Sequence, residues 1–261
     1  MSDNLPGPWD ALRRLTAARI GLKRSGASLA TAPLLEFQLA HARARDAVHR
    51  PLDGDSLERD LAGLGLPVLT VTSQAKDRAQ FLMRPDLGRQ LSPEAERTLA
   101  AKKGTYDIAF VISDGLSASA AQKHAAPLLA EIIPALKDWR LAPLVIVGLG
   151  RVGAGDAVAD ALNATSVVIL LGERPGLTAP DSLGAYLTWK PRPDTTEADR
   201  NCVSNIRPEG VRYADAGRTI VHLLRAMRAG GASGIALKDD SDRLLLSGET
   251  TTTPTLPPRS E

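Results

Sequence analysis

The chain has 261 residues, of which 43% are hydrophobic and only 3% aromatic, so its core must be built from leucine, valine, isoleucine and alanine. Its 32 Lys and Arg residues nearly balance 30 Asp and Glu residues, and the net charge of +2 does not indicate a nucleic-acid-binding protein. The single cysteine excludes an intrachain disulfide and a multi-cysteine metal site, while no apolar run approaches the length of a membrane span.

The first part of the chain predicts an N-terminal helical arm, residues 1–66. Its helical patterns cover residues 8–20, 31–48 and 55–64. Residues 1–50 contain eight Lys/Arg and four Asp/Glu. This excess of positive charge indicates either a surface for a partner protein or a solvated helix face. Because the start of the sequence lacks the apolar stretch of a secretory signal, we expect a cytoplasmic protein.

Strand and helix patterns alternate from residue 67 to residue 237. The predicted strands are 67–72, 80–83, 106–112, 144–147 and 166–171. The predicted helices are 92–103, one after residue 117 that Pro127 and Pro134 interrupt, a short one that ends at about Leu162, and 213–228. This alternation predicts an α/β domain with an open, mostly parallel Rossmann-like sheet and helices on both faces. Residues 172–205 show no sustained periodicity and predict a long irregular loop, and residues 238–261 predict a disordered tail.

Glycine-bearing turns follow three of the predicted strands, at residues 113–117, 148–153 and 172–176. The carboxyl ends of parallel strands lie along one edge of a sheet, where open α/β folds bind ligands. Glycine lets the backbone come close to a ligand, although any single strand-to-helix turn uses glycine without one. The three turns together with the long loop favour a binding site.

The middle turn also matches a dinucleotide-binding fingerprint. Gly148, Gly150 and Gly153 have its spacing between a strand and a helix, and Glu173 follows about 20 residues later. Against this reading, the helix is short and the strand is a late one in the fold. A nicotinamide-dependent, NAD(P)-binding oxidoreductase is therefore the alternative function.

Five segments, in this order, resemble the small (light) subunit of ethanolamine ammonia-lyase. They are Arg84–Arg89, Ile112–Ser117, Gly150–Val152, Gly172–Leu177 and Glu197–Ile206. The resemblance extends from the first helix to about Leu237, and it favours an accidental match for the glycine fingerprint. It implies one subunit of a lyase that converts ethanolamine to acetaldehyde and ammonia, with adenosylcobalamin held between this subunit and a large, barrel-shaped subunit that carries the substrate site.

By this resemblance, the cobalamin-contacting residues are Val152, Glu173 and Cys202. A carboxylate at Glu173 suits the amide arms of a corrin rim because it accepts N–H bonds. Each residue also has a purely structural reading: Glu173 could pair with Arg174 or Arg200, Val152 could be core, and a lone cysteine is most often a buried small hydrophobe. We expect no catalytic residue and no metal ligand on this chain.

Other polar residues leave alternatives open. Asp114 could act as an acid or base, although capping of the next helix is the more usual role. Arg84–Arg89 could be a phosphate-binding loop, a subunit contact or a solvated turn. None of the four histidines has the Asp-x-His-x-x-Gly context of a residue that replaces the cofactor's own base, so we expect them to be satisfied or at the surface. Some members of the family carry a long leading extension that is linked to packaging in a bacterial microcompartment. This sequence starts almost directly at the first predicted helix, so packaging stays open.

Overall fold

The computed structural model describes residues 8–16 and 18–237, which form eight α-helices and eight strands. The helices are α1 (Pro8–Arg13), α2 (Thr31–His49), α3 (Gly54–Ala62), α4 (Arg78–Met83), α5 (Pro93–Ala100), α6 (Ala118–Ile132), α7 (Val152–Leu162) and α8 (Tyr213–Gly230). The strands are β1 (Arg24–Ser25), β2 (Ser28–Leu29), β3 (Val68–Thr72), β4 (Tyr106–Ser113), β5 (Leu144–Gly148), β6 (Ala164–Gly172), β7 (Leu183–Trp189) and β8 (Arg200–Ile206).

Six strands form one sheet in the spatial order β3-β5-β4-β6-β7-β8. The first four are parallel, and β7 and β8 extend the sheet in antiparallel pairs. Ile108, Phe110 and Ile112 of β4 face a core shared with α3, α6 and α8. Ala109 and Val111 face the opposite core, which is shared with α5 and α7. The predicted α/β sheet with helices on both faces is confirmed.

The connections after β4 and β5 leave the sheet in opposite directions. The chain crosses over one face through α6 after β4, and over the other face through α7 after β5. Neighbouring parallel strands whose connections diverge in this way leave a crevice at their carboxyl ends. The fold therefore places the crevice beside the turns that the sequence singles out.

The predicted irregular loop over residues 172–205 is wrong, because this segment contains β7 and β8. Leu183, Ala185 and Leu187 are fully buried, and the strand has few polar residues on either face, which removes the period-two alternation. Glycine and alanine at positions 184 and 185 also weaken its strand propensity. Pairing with β6 over the whole length of β7 decides its structure.

Two predictions of local structure are also corrected. Residues 80–83 belong to α4 instead of a strand, because the Asp77 side chain caps the helix by accepting a hydrogen bond from the Gln80 N–H at 2.8 Å. The helix predicted over residues 8–20 ends at Arg13, whose Nε donates to the Ile20 carbonyl at 3.1 Å.

The helical arm differs from the rest of the chain in how little of it is buried. No residue of the 19-residue helix α2 is buried, whereas Leu57 and Leu61 of α3 lie in the core beside α6. The division at residue 66 stays a prediction, and the tail from residue 238 lies outside the described residues. Within the described part of the chain, no helix has both the length and the apolar character needed to cross a membrane.

We predict that Leu187→Ala lowers the free energy of unfolding by about 2–5 kcal/mol, since it leaves a cavity in the core against which β7 packs. Leu177→Ala is the matched control, because that leucine is 37% exposed and its truncation should cost less than about 1 kcal/mol. Urea unfolding followed by tryptophan fluorescence measures both. Equal costs would contradict the placement of β7 inside the sheet.

Candidate functional site

An open cleft of about 460 Å³ lies at the carboxyl edge of the sheet. All three glycine-bearing turns line it, through Gly115 and Leu116 after β4, Arg151 and Val152 after β5, and Gly172 to Arg174 after β6. Leu171, Tyr186 and Glu197 complete part of its wall. The turns that the sequence grouped by pattern therefore share one surface.

The turns after β4 and β6 pack backbone against backbone. The Leu116 N–H donates to the Gly172 carbonyl at 2.9 Å. A side chain on Gly172 would overlap the carbonyl oxygens of Ser117 and Asp114, and Gly115 has a positive φ of 51° and faces the same Gly172 carbonyl. Glycine is required here by the close approach of the two turns.

Glu173 lines the cleft with its carboxylate held on one side. Its Oε2 accepts hydrogen bonds from the Ser182 hydroxyl and, at 3.4 Å, from the Asn205 N–H. Its Oε1 receives no hydrogen bond within the described residues and lies over Gly184, where an added Cβ would be 2.8 Å away. The alternative of pairing with Arg200 does not occur, because Arg200 pairs with Asp156. Glu173 thus presents a fixed acceptor.

Val152 and Cys202 occupy different positions relative to the cleft. Val152 is the first residue of α7, is half-buried and lines the cleft. Cys202 is exposed on β8, directly opposite Tyr186 of β7, and it does not itself line the cleft. The alternative that this single cysteine is a buried small hydrophobic residue is therefore wrong.

The Tyr186 phenol interacts with both Cys202 and the Glu173 carboxylate. Burial raises the pKa of Tyr186, and the neighbouring Cys202 and Glu173 raise it further. Although Cys202 is exposed as a residue, its thiol is partly shielded from water, and this desolvation raises the pKa of the thiol, with Glu173 adding to the rise. Both groups are consequently protonated at neutral pH and can donate hydrogen bonds.

A buried ion pair ties the strand of Cys202 to the helix of Val152. Arg200 of β8 is bidentate to Asp156 of α7, at 2.7 Å and 2.6 Å, and also donates to the Thr188 hydroxyl at 2.9 Å. Such planar, two-bond contacts fix orientation as well as distance. The pair explains how two distant parts of the chain flank one cleft.

Sequence reasoning missed Arg151 and Tyr186 as lining residues. Arg151 donates from its backbone N–H to the Gly88 carbonyl at 2.7 Å, and its guanidinium stacks over the Phe81 ring at 4.2 Å. Burial lowers the pKa of Arg151, and the nearby positive charges of Arg78, Arg89 and Arg174 lower it further. Arg151 could have been identified from the Gly150–Val152 segment of the family resemblance. Tyr186 could not, because the sequence predicted an irregular loop at its position.

The glycine fingerprint after β5 is not arranged for a pyrophosphate. The turn Leu87–Arg89 covers the start of α7, where its Gly88 carbonyl accepts the Arg151 N–H. An added Cβ at Gly153 would lie 3.2 Å from the Arg89 side chain. Protein atoms thus occupy the position in front of the helix where a dinucleotide phosphate would bind.

Arg84–Arg89 divides into two parts. Arg84 pairs with Asp86 at 2.6 Å in an exposed turn, whereas Arg89 lines the cleft and lies 3.8 Å from Glu197. The turn therefore combines a solvated ion pair with a residue of the site.

The expected capping role of Asp114 is wrong. The residue at the N-cap of α6 is Ser117, and Asp114 is buried in an ion pair with Arg78 at 3.0 Å. Burial raises the pKa of the Asp114 carboxyl, and the Arg78 guanidinium opposes that rise.

The prediction that the histidines are satisfied or at the surface holds for two of them at the surface, whereas two are buried, and the Nε2 atom of His124 has no hydrogen-bond partner among the described residues. His124 is buried with Nδ1 2.7 Å from the Tyr213 hydroxyl, His222 is buried in α8, and His41 and His49 are exposed. No group of three or more His, Cys, Asp or Glu residues in the described ranges could hold a metal ion.

The fold and the cleft define a doubly wound α/β chain that can contact a ligand from one side along the carboxyl edge of its sheet. The sequence model of a family described as Ethanolamine ammonia-lyase light chain (EutC) matches residues 6–238. The chain belongs to this family, which confirms the resemblance found in the sequence.

Proteins with similar sequences match this chain over nearly its whole length. The chain is 50% identical over 245 residues to the ethanolamine ammonia-lyase small subunit of Ralstonia nicotianae, covering 92% of this chain and 91% of that protein. It is 49% identical over 258 residues to the small subunit of Azotobacter vinelandii, covering 95% of both. With that of Xanthomonas campestris it shares 50% identity over 248 residues, covering 93% of this chain and 91% of the relative. Family membership implies lyase activity as part of a complex with a large subunit.

We predict that Gly172→Ala lowers the free energy of unfolding by about 1–3 kcal/mol, because the added methyl group forces the turns after β4 and β6 apart. Gly176→Ala is the control, since its added methyl would meet no atom closer than 3.7 Å and should change stability by about 0.5 kcal/mol at most. Thermal or urea unfolding distinguishes the two variants. A Gly172→Ala variant as stable as the wild type would contradict the close packing of the two turns.

Proposed function

We propose that this chain holds one side of adenosylcobalamin at its contact with the large subunit of ethanolamine ammonia-lyase. The large, barrel-shaped subunit carries the substrate site, where ethanolamine is converted to acetaldehyde and ammonia. The observation that carries the proposal is the carboxylate of Glu173, a residue that lines the cleft: its Oε2 is held by Ser182 and Asn205, while its Oε1 receives no hydrogen bond from the described residues.

The chemistry of the cleft fits a corrin rim. The rim bears neutral amide arms, whose N–H groups suit Glu173 Oε1, and whose carbonyls suit the Tyr186 phenol and the guanidinium of Arg151. Leu116 and Val152 offer apolar contact to the methyl groups of the ring. The donor set therefore matches a large, neutral and partly apolar ligand.

The size of the cleft supports a shared site. Pockets that enclose a drug-sized ligand measure about 300–1,000 Å³, and adenosylcobalamin is larger than such a ligand. A cleft of about 460 Å³ that is open to solvent holds only one edge of the cofactor. The remaining surface is then covered by the partner subunit.

The three residues implied by the family resemblance have different roles. In this arrangement, Val152 and Glu173 contact the cofactor directly, and Cys202 packs beside it through Tyr186 on the same face of the sheet. When bound, the cofactor supplies an adenosyl radical, through homolysis of its cobalt–carbon bond, that takes hydrogen from the substrate. The residues of this chain bind the cofactor, orient it and exclude water from one side.

We predict that Glu173→Gln raises the dissociation constant for adenosylcobalamin about tenfold in the assembled complex, with the maximal rate of ammonia release changed less than twofold. The amide still accepts the Ser182 hydroxyl but replaces the second acceptor with a donor, and losing a hydrogen bond to a charged group costs about this much. Equilibrium dialysis with absorbance detection measures the affinity.

Glu209→Gln is the matched control, because Glu209 is exposed and does not line the cleft. If both variants bind the cofactor like the wild type, Glu173 has no role in binding. The oxidoreductase alternative predicts instead that NAD(P) alone raises the melting temperature of the chain while cobalamin does not bind to the complex.

We further infer that the large subunit covers α2. Leu34, Leu35, Phe37 and Leu39 are 39–57% exposed on a helix that has no buried residue. A helix that is apolar on several sides and unburied is stabilised only when another surface covers it. The basic excess in residues 1–50 favours an acidic surface around the apolar contact.

We predict that Leu35→Glu lowers the amount of large subunit that co-purifies with this chain by about tenfold, since a buried unpaired charge opposes binding. Gln38→Glu adds the same charge at an exposed polar position of α2 and should change co-purification little. A dimer of this chain alone that Leu35→Glu dissociates would show that a second copy, and not the large subunit, covers the helix.

A further inference from the structure

The Arg78 side chain joins three segments of the chain. Its Nε donates to the Val48 carbonyl at the end of α2, at 2.6 Å. Its Nη1 donates to Asp114 Oδ2 at 3.0 Å and to the Gly115 carbonyl at 2.8 Å. With the side chain only 16% exposed, these contacts are largely shielded from water. The end of α2, within the helical arm, and the cleft turn after β4 are thereby held by one guanidinium.

The hydrogen bond from Arg78 to Gly115 is connected to the proposed binding residue Glu173 through the turn after β4. Gly115 and Leu116 line the cleft, and the Leu116 N–H donates to the Gly172 carbonyl beside Glu173. A shift of the turn after β4 therefore shifts the support of Glu173 as well.

The other wall of the cleft is linked to Arg78 through Phe81. The Arg78 guanidinium lies 4.7 Å from the centre of the Phe81 ring, and that of Arg151 lies 4.2 Å from the same centre. Arg151 also donates to the Phe81 carbonyl at 3.0 Å. The two guanidinium groups and the ring form one packed unit behind the cleft.

Asp114 keeps the orientation of Arg78. The carboxylate is buried, and its Oδ1 receives a 3.2 Å hydrogen bond from the Ser113 hydroxyl. A buried carboxylate without a counter-charge is strongly disfavoured, so removing Arg78 alone would perturb the fold for a reason unrelated to the cleft. A test must separate these two effects.

We propose that Arg78 is a positioning residue for the cofactor: it fixes the Gly115–Leu116 turn and connects this turn to the end of α2. This inference rests on the proposed function of the cleft. A planar guanidinium serves three acceptors at fixed angles, whereas a lysine ammonium keeps the charge beside Asp114 but not this geometry.

The test is Arg78→Lys in the assembled two-subunit complex. We expect the dissociation constant for adenosylcobalamin, measured by equilibrium dialysis with absorbance detection, to rise about tenfold. The maximal rate of ammonia release at saturating cofactor should stay within about twofold of the wild type, because the bound geometry is restored by excess ligand.

Arg140→Lys is the matched control. Arg140 is also paired with an aspartate, Asp107, which it contacts through two hydrogen bonds, but this pair lies at the amino end of β4, away from the cleft. Wild-type affinity in Arg78→Lys, or an equal loss in Arg140→Lys, would overturn the proposal.

If the Arg78→Lys chain does not assemble with the large subunit, a double variant still tests the proposal. Arg78→Met with Asp114→Asn removes both charges, so no unpaired buried charge remains, while the bonds to Gly115 and Val48 are lost. We expect near wild-type urea unfolding and still about tenfold weaker cofactor binding. Normal binding in this variant would overturn the positioning role. Failure of the proposed function is distinct, because the wild-type complex itself would then retain no cobalamin.

Discussion

The close approach of the Gly172 carbonyl to the turn after β4 is the contact on which the rest of the cleft depends. The Leu116 N–H binds that carbonyl at 2.9 Å, and no side chain fits between the two segments. Because β4 and β6 are paired in parallel over most of their length, this contact places their carboxyl ends at the same level. Glu173 is the first residue after β6, so this contact also fixes the position of Glu173 at the edge of the sheet.

Two cations beside the cleft are paired with aspartates and not with Glu173. Arg200 pairs with Asp156, and Arg78 pairs with Asp114. Buried ion pairs of this kind contribute little net stability, but they fix geometry because breaking one leaves an uncompensated charge. Here they connect β8 to α7 and the helical arm to the turn after β4.

The sequence predicted those parts of the fold whose local pattern and tertiary environment agree. β4, β5 and β6 are continuous apolar runs buried on both faces, and their extents were found to within about two residues. β7 was missed because its glycine and alanine residues weaken the signal and its place depends on pairing with β6. α4 was missed because a six-residue helix is specified mainly by its Asp77 cap.

The site was predictable to the extent that its residues lie in turns beside predicted strands. Val152 begins the helix after the β5 turn and Glu173 directly follows β6, so a correct sheet places both at one edge. Cys202 entered only through the family resemblance, and its relation to the cleft depends on Tyr186, which no local pattern singles out.

A cofactor site that one subunit forms only in part links binding to assembly. In the proposed arrangement, each chain offers an incomplete surface, so the cofactor binds strongly only where both are present. By mass action, a ligand that binds the complex and not the separate chains stabilises the complex. The Arg78 contact to Val48 adds a second connection, since it joins the helical arm, which we infer to lie against the large subunit, to the wall of the cleft. Docking of the arm then lowers the conformational freedom of the turn that receives the cofactor, and the two binding events favour each other.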